Sequence, residues 1–320
     1  MKKIFFSVVF IFCCLFCYSQ DKTIYLWRNV KGMEKQPSVM YMHEPKENKT
    51  KTAVIVCPGG SYHHLGLYNE GYCSAKWFSE NGITAFMLKY RTNESLYNHP
   101  AMLEDIQRAI QIVRENADEF GIDASKVGVI GYSAGGHLVT MAGEFGERFN
   151  ELEKLGIETA VSLRPDFVMP IYPVVSMQDD ISHKWSRRSL LGKNQTQERK
   201  DLFSMELQVP DNMPPTYIVV CKDDNVVDYN NSLRLYDALL EKNINDCELH
   251  VYEWGKHGFG MLNGPFMKEF KWNEPLLEWI KKLVCMNNKK KSVIFYDALF
   301  LLFYLGFNTN PKNGRVKALS

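Results

Sequence analysis

Val127-Gly128-Val129-Ile130-Gly131-Tyr132-Ser133-Ala134-Gly135-Gly136-His137 is an apolar, β-branched run that breaks into Gly-x-Ser-x-Gly and continues as Leu138-Val139-Thr140-Met141-Ala142. It reads as a buried strand followed directly by a helix, with a serine on the sharp turn between them. Gly131 and Gly135 suit that turn because neighbouring backbones pass too close there for a Cβ. The helix start behind Ser133 offers free N–H groups to a developing negative charge. The pattern points to acyl transfer by an activated serine.

Working outward, strand and helix signals alternate on both sides. Upstream, Thr52 to Cys57 is a continuous apolar run of the kind buried on both faces of a sheet. Tyr72 to Glu80 reads as a helix ended by Asn81-Gly82, and Ile83 to Leu88 as the next strand. Pro100 opens a helix with Met102, Ile106, Ala109, Ile110 and Val113 on one face, and Asp105 and Arg108 assigned to the other. Downstream, Phe167 to Tyr172 and Thr216 to Cys221 read as strands, Leu233 to Leu240 as a helix, and Glu248 to Trp254 as a strand. Lys22 to Trp27 and Ser38 to His43 are short alternating runs, expected as antiparallel edge strands. This order predicts an α/β fold with a mostly parallel central sheet and helices on both faces. Residues 143–165 are polar and broken. Residues 176–212, which carry Lys184, Trp185, Arg187 and Arg188, show no clean period and are expected as an irregular excursion of the kind that often covers a site. Trp272 to Val284 is an amphipathic helix that closes the fold.

The loops after the strands carry the chemistry. Gly59-Gly60-Ser61 follows a central strand and reads as an oxyanion loop, with the N–H groups of Gly60 and Ser61 joined by that of Ala134 after the serine. His63 and His64 come next and are candidates for meeting substrate, as are the aromatic residues Tyr62, Trp185 and Phe259, whose flat rings can pack on a ligand or in the core. Lys222 to Asp228 follows another buried strand and offers Asp223, Asp224 and Asp228, any of which can orient a histidine. His257 lies between glycines in the loop after the last strand, where an imidazole is presented outward rather than packed. The order serine, aspartate, histidine is that of the α/β-hydrolase arrangement.

Bulk composition narrows the function. The 320 residues include 38 basic and 37 acidic ones, a net charge of +1, which lacks the basic excess of a nucleic-acid binder. Residues 1–19, with Lys2-Lys3, an apolar run and Cys17-Tyr18-Ser19, are expected to be a signal peptide, so the mature protein is expected in the periplasm or outside the cell. That run is shorter than a spanning helix, and no stable membrane insertion is expected. Cys13, Cys14 and Cys17 fall inside it. The remaining Cys57, Cys73, Cys221, Cys247 and Cys285 form neither a Cys-x-x-Cys pair nor a metal-ligand pattern, and buried free thiols are expected of Cys57 and Cys221. Residues 20–286 are assigned to the hydrolase domain and 287–320 to an appended tail.

The motifs taken together resemble the α/β-hydrolases of the acetylxylan esterase type, a group that also includes feruloyl and other hemicellulose-deacylating esterases. The resemblance spans roughly residues 50–282. It is carried by Pro58-Gly59-Gly60-Ser61-Tyr62, Lys89-Tyr90-Arg91, Pro100 with Asp105, Gly131 to His137, Arg164-Pro165-Asp166, Tyr172-Pro173-Val174, Leu190-Leu191-Gly192, Pro214-Pro215-Thr216, Asp223-Asp224 and His257-Gly258-Phe259-Gly260. It implies the α/β-hydrolase fold and an acylated carbohydrate substrate, with neither metal nor organic cofactor. It also implies Asp224 as the acid beside Ser133 and His257. Ser61 stands where the family usually has a third glycine. Two other readings accompany it: a serine exopeptidase with the same triad order, and a non-catalytic carbohydrate-binding relative.

Overall fold

Ala53–Cys57 and Val127–Tyr132 are buried along their whole length, as strands must be when helices cover both faces of a sheet. In the computed structural model, which describes residues 22–285 apart from 245, these two strands pair in parallel at the centre of an eight-stranded sheet. Its strands are β1 (Lys22–Tyr25), β2 (Val39–His43), β3 (Ala53–Cys57), β4 (Thr84–Lys89), β5 (Val127–Tyr132), β6 (Phe167–Ile171), β7 (Thr216–Cys221) and β8 (Cys247–Tyr252), in the spatial order β1-β2-β4-β3-β5-β6-β7-β8. β2 pairs antiparallel with β1 and β4, and every other neighbour is parallel.

The helices are α1 (Cys73–Glu80), α2 (Ala101–Glu115), α3 (Ala134–Phe145), α4 (Glu151–Lys154), α5 (Lys184–Leu191), α6 (Gln197–Leu202), α7 (Asn230–Glu241), α8 (Pro265–Phe270) and α9 (residues 273–285). Alternation along β3 divides the core in two. Ala53, Ile55 and Cys57 pack with Met102 and Ile106 of α2, Leu138 of α3 and Leu235 of α7. Val54 and Val56 pack on the opposite face with Phe78 of α1, Phe266 of α8, and Leu276 and Trp279 of α9. The mostly parallel sheet read from the alternation is observed, in the arrangement of the α/β-hydrolase fold that the resemblance implied. Because β3 to β8 run in one direction, the loops after them gather at one edge, where ligands bind in open α/β sheets.

Three expectations change. Residues 176–212 hold α5, α6 and a short 3-10 turn (Met205–Leu207) rather than an irregular excursion. The pattern is silent because α6 buries none of its residues and α5 buries only Ser186, Ser189, Leu190 and Leu191. Residues 143–165 continue α3 to Phe145 and form α4, whose first turn is capped by the Asn150 side chain accepting from Glu153 N–H. Asp105 is not on the polar face of α2 but fully buried. It stands three residues after Met102 and four before Ala109, so helical phase places it on the inner stripe.

Asp105 gathers the antiparallel end of the sheet. Its carboxylate accepts from Trp27 Nε1 at 2.7 Å, Ser38 Oγ at 2.8 Å and Arg91 N at 2.7 Å, and pairs with the Arg91 guanidinium at 2.9 Å. A buried carboxylate with four donors is fully compensated, and removing it leaves buried donors without an acceptor, although the Arg91 guanidinium keeps a second carboxylate, Glu104, at 2.7 Å. The five cysteines among the described residues are free, with Cys57, Cys221 and Cys247 buried. The expected leader (1–19) and the appended tail (287–320) lie outside the described residues, and no described helix is long and apolar enough to cross a membrane.

Asp105→Ala is expected to lower the unfolding free energy by about 2–4 kcal/mol, because the Trp27, Ser38 and Arg91 N–H donors lose their acceptor together while the Arg91 guanidinium keeps Glu104 at 2.7 Å. Urea unfolding followed by tryptophan fluorescence measures it, and a loss below about 1 kcal/mol contradicts this reading of the cluster.

Candidate active site

Ser133 stands between β5 and α3 with φ 52° and ψ −118°, a strained combination for a residue with a side chain. The turn is feasible because a Cβ on Gly131 would lie 2.0 Å from Gly135 O, and one on Gly135 would lie 2.2 Å from Cys57 O. Main chain fills the space on both sides. Ser133 N–H is anchored on Ile171 O at 3.0 Å, so β6 supports the turn as well.

His257 Nε2 lies 2.9 Å from Ser133 Oγ, and its Nδ1 lies 2.7 Å from Asp224 Oδ2. The Asp224 side chain is fully buried and that of His257 is 13% exposed. The other Asp224 oxygen accepts N–H bonds from Val226 and Val227, each at 2.9 Å, which holds the carboxylate as an acceptor toward the imidazole. With Nδ1–H donating to Asp224, Nε2 is left to accept from the serine hydroxyl. The two other acids of this loop have different tasks. Asp223 accepts Lys256 N–H at 2.8 Å and so ties the loop after β7 to the histidine loop after β8, while Asp228 accepts Asn230 N–H at the start of α7.

On the other side of Ser133, the loop after β3 turns through Gly60 (φ 128°), Ser61 (φ 58°) and Tyr62 (φ 57°). His63 and His64 both donate N–H to Gly60 O, which closes the turn. Among the described residues, no acceptor is found for the N–H groups of Gly60, Ser61 or Ala134, so three donors beside the serine remain available. An open cleft of about 320 Å³ holds Ser133 and His257, and its wall includes Gly60, Ser61, His64, Asn69, Glu70 and Val226.

The aromatic residues divide. Trp185, on α5, is 49% exposed and packs on His63 and His64 with ring centroids 5.4 and 5.9 Å apart. Through His64 this cluster adjoins the cleft. Tyr62 is not a substrate contact. It is fully buried, and its hydroxyl meets His137 Nδ1 at 2.8 Å, because two successive left-handed residues turn its side chain inward. His137 Nε2 faces Phe203 O at 2.8 Å, an acceptor only, so Nε2 carries the proton and Nδ1 accepts from Tyr62. Burial holds His137 neutral, with its pKa lowered to about 4. Phe259 is part-buried, packs against Tyr172, Phe266 and Trp272, and is not among the residues that line the cleft.

Several residues of the site carry no motif. Asn69 and Glu70 lie on a π-helical turn (Leu67–Tyr72), a rare conformation that concentrates at functional sites. Asn69 donates to Gly258 O at 2.9 Å and accepts Leu262 N–H at 2.9 Å, bracing the histidine loop. Burial, the largest cause, lowers the pKa of His183, and the nearby Asp224 carboxylate opposes that shift. Among the described residues no group of three or more histidine, cysteine or acidic side chains is placed to hold a metal ion.

The likenesses agree with this geometry. A family profile described as BD-FAE matches residues 40–239. An acetylxylan esterase of Xylanibacter ruminicola is 31% identical over 245 residues, covering 74% of this chain and 47% of that protein. Endo-1,4-beta-xylanase B of Butyrivibrio fibrisolvens is 35% identical over 241 residues, covering 74% of this chain and 37% of that protein. The chain thus spans about half the length, or less, of these relatives. Among solved structures, an acetyl ester-xyloside bifunctional hydrolase from Caldicellulosiruptor lactoaceticus is 30% identical with a TM-score of 0.73, covering 82% of this chain and 97% of that one. Sheet order, strand-end loops and the matched span lead to one assignment: the chain belongs to the BD-FAE family of α/β-hydrolases.

Proposed function

We propose that this protein is an exported serine carboxylesterase that removes acetyl groups from plant cell-wall polysaccharide or oligosaccharide such as xylan. The observation that carries the reading is the unbroken line Ser133 Oγ, His257 Nε2, His257 Nδ1, Asp224 Oδ2, with steps of 2.9 and 2.7 Å, opening into a cleft beside three unpaired N–H groups. Export rests on the composition of residues 1–19. The sugar assignment rests on the names of the relatives and on Trp185 at the cleft.

Ser133 Oγ attacks the ester carbonyl while its proton passes to His257 Nε2. Asp224 holds the imidazole in the tautomer that accepts that proton and then balances the imidazolium charge. The carbonyl oxygen, as it becomes an alkoxide, is received by the N–H groups of Gly60, Ser61 and Ala134. His257 gives its proton to the departing sugar oxygen, which leaves as a hydroxyl, and water repeats the sequence on the acetyl-serine. The wall of the cleft is glycine, polar side chains and the single aliphatic side chain Val226, which favours a short acyl group over a long one.

Acetate release from acetylated xylan and from p-nitrophenyl acetate tests the whole reading. Both substrates are expected to be cleaved, and Ser133→Ala to lose about a millionfold in kcat. Cleavage of p-nitrophenyl acetate alone removes xylan from the account, and cleavage of neither, with hydrolysis of N-terminal peptides, replaces it with the exopeptidase reading. Asp224→Asn is expected to lower kcat about ten-thousandfold. Asp223→Ala, which loses only the Lys256 N–H bond, is expected to cost about tenfold, and equal losses in the two variants would contradict the separate roles. Trp185→Ala is expected to raise KM for acetylated xylo-oligosaccharides about three- to tenfold while leaving p-nitrophenyl acetate unaffected. A change shared by both substrates would place Trp185 in the fold rather than against the sugar.

A further inference from the structure

Glu70 is a buried carboxylate in the wall of the cleft, 8% exposed, that none of the acyl-transfer steps uses. One oxygen accepts Gly59 N–H at 2.7 Å and the other accepts Tyr172 O–H at 2.8 Å. Tyr172 oxygen in turn accepts Gly260 N–H at 3.1 Å, and its ring packs edge-on against His257 with centroids 4.8 Å apart. A continuous set of hydrogen bonds therefore runs from the loop after β3, through Glu70 and Tyr172, to the loop that carries His257. Glu70 Oε2 and Ser133 Cβ both lie 2.9 Å from where a Cβ on Gly59 would stand, so the carboxylate fits here only because residue 59 is glycine.

The chemistry of the side chain matters. Two donors converge on it from different loops, and a carboxylate accepts both, whereas an amide of the same shape accepts one and donates to the other. Burial raises the Glu70 pKa, while the bonds from Tyr172 and Gly59 and the field of His257 oppose that rise. Burying a carboxylate is costly unless its oxygens are bonded, and an apolar side chain would fill the space at lower cost if packing were the only need.

We propose that Glu70 is a positioning residue for the oxyanion loop: by accepting Gly59 N–H and Tyr172 O–H together, it fixes the distance between the Gly60 and Ser61 donors and the histidine loop. The inference rests on the acyl-transfer reading above. The oxyanion donors act only at their correct distance from the developing charge, so a shift of the loop lowers kcat more than substrate binding.

The test measures kcat and KM for p-nitrophenyl acetate per active site, counted by titration with a fluorophosphonate, in wild type, Glu70→Gln, Glu70→Ala, Tyr172→Phe and the Glu70→Ala, Tyr172→Phe double variant. Glu70→Ala is expected to lose about a hundredfold in kcat with KM within about twofold of wild type. Glu70→Gln and Tyr172→Phe are each expected to lose about tenfold, and the double variant no more than Glu70→Ala alone, since one linkage is broken in both. Unchanged kcat per titrated serine, with only thermal stability reduced, overturns the proposal, and so do fully additive losses. If Glu70→Ala fails to fold, Glu70→Gln and Tyr172→Phe decide the matter by the same kcat criterion. A wild-type protein that neither cleaves p-nitrophenyl acetate nor labels at Ser133 overturns the acyl-transfer reading and this inference with it, an outcome distinct from active wild type with indifferent Glu70 variants.

Discussion

The rest of the structure depends on the contact between Gly131 and Gly135, where the end of β5 and the first turn of α3 meet with no room for a side chain. That contact holds Ser133 at a positive φ and projects its hydroxyl out of the sheet edge. A strained backbone of this kind costs about 1–3 kcal/mol and persists only where its surroundings over-determine it. Here the surroundings are Ile171 O on Ser133 N–H, the main chain of Cys57 beside Gly135, and the fully buried strands on either side.

Strain is concentrated at this edge. Nine non-glycine residues with positive φ occur among the described residues, and Ser61, Tyr62, Ser133, Tyr172 and Lys256 all lie in the loops that follow β3, β5, β6 and β8. The loops after β3, β6, β7 and β8 are cross-braced: Asp223 to Lys256, Asn69 to Gly258 and Leu262, and Glu70, itself tied to Gly59, to Tyr172. A sheet with parallel strands places the loops together, and the braces set their spacing. Hydrogen bonds of about 1 kcal/mol each matter here less for global stability than for fixing distances between loops that have no regular structure of their own.

The serine and histidine were legible in the sequence because their signals are local: a strand, a glycine turn and a helix around Ser133, and glycines on both sides of His257. The sheet was legible for the same reason, since strands buried on both faces are continuous apolar runs. The choice among Asp223, Asp224 and Asp228 was not available from spacing, because all three lie on one loop and differ only in which partner each side chain meets. Tyr62 was misread because side-chain direction in that loop is set by left-handed backbone at Ser61 and Tyr62, which no periodicity reports. Glu70 had no signal either. It sits in a π-helical turn, where the usual helical phase does not apply. Asp105, by contrast, had one in its spacing from Met102 and Ala109.

The central claim is that an acyl group passes through Ser133, and the most direct measurement is rapid-quench mass spectrometry during the first turnover of p-nitrophenyl acetate. The account predicts a burst of p-nitrophenol equal to the enzyme concentration when deacylation is the slower step, with one acetyl group on the peptide that contains Ser133. Acetyl on another residue as the competent intermediate, or turnover undiminished after Ser133 is blocked, would contradict it.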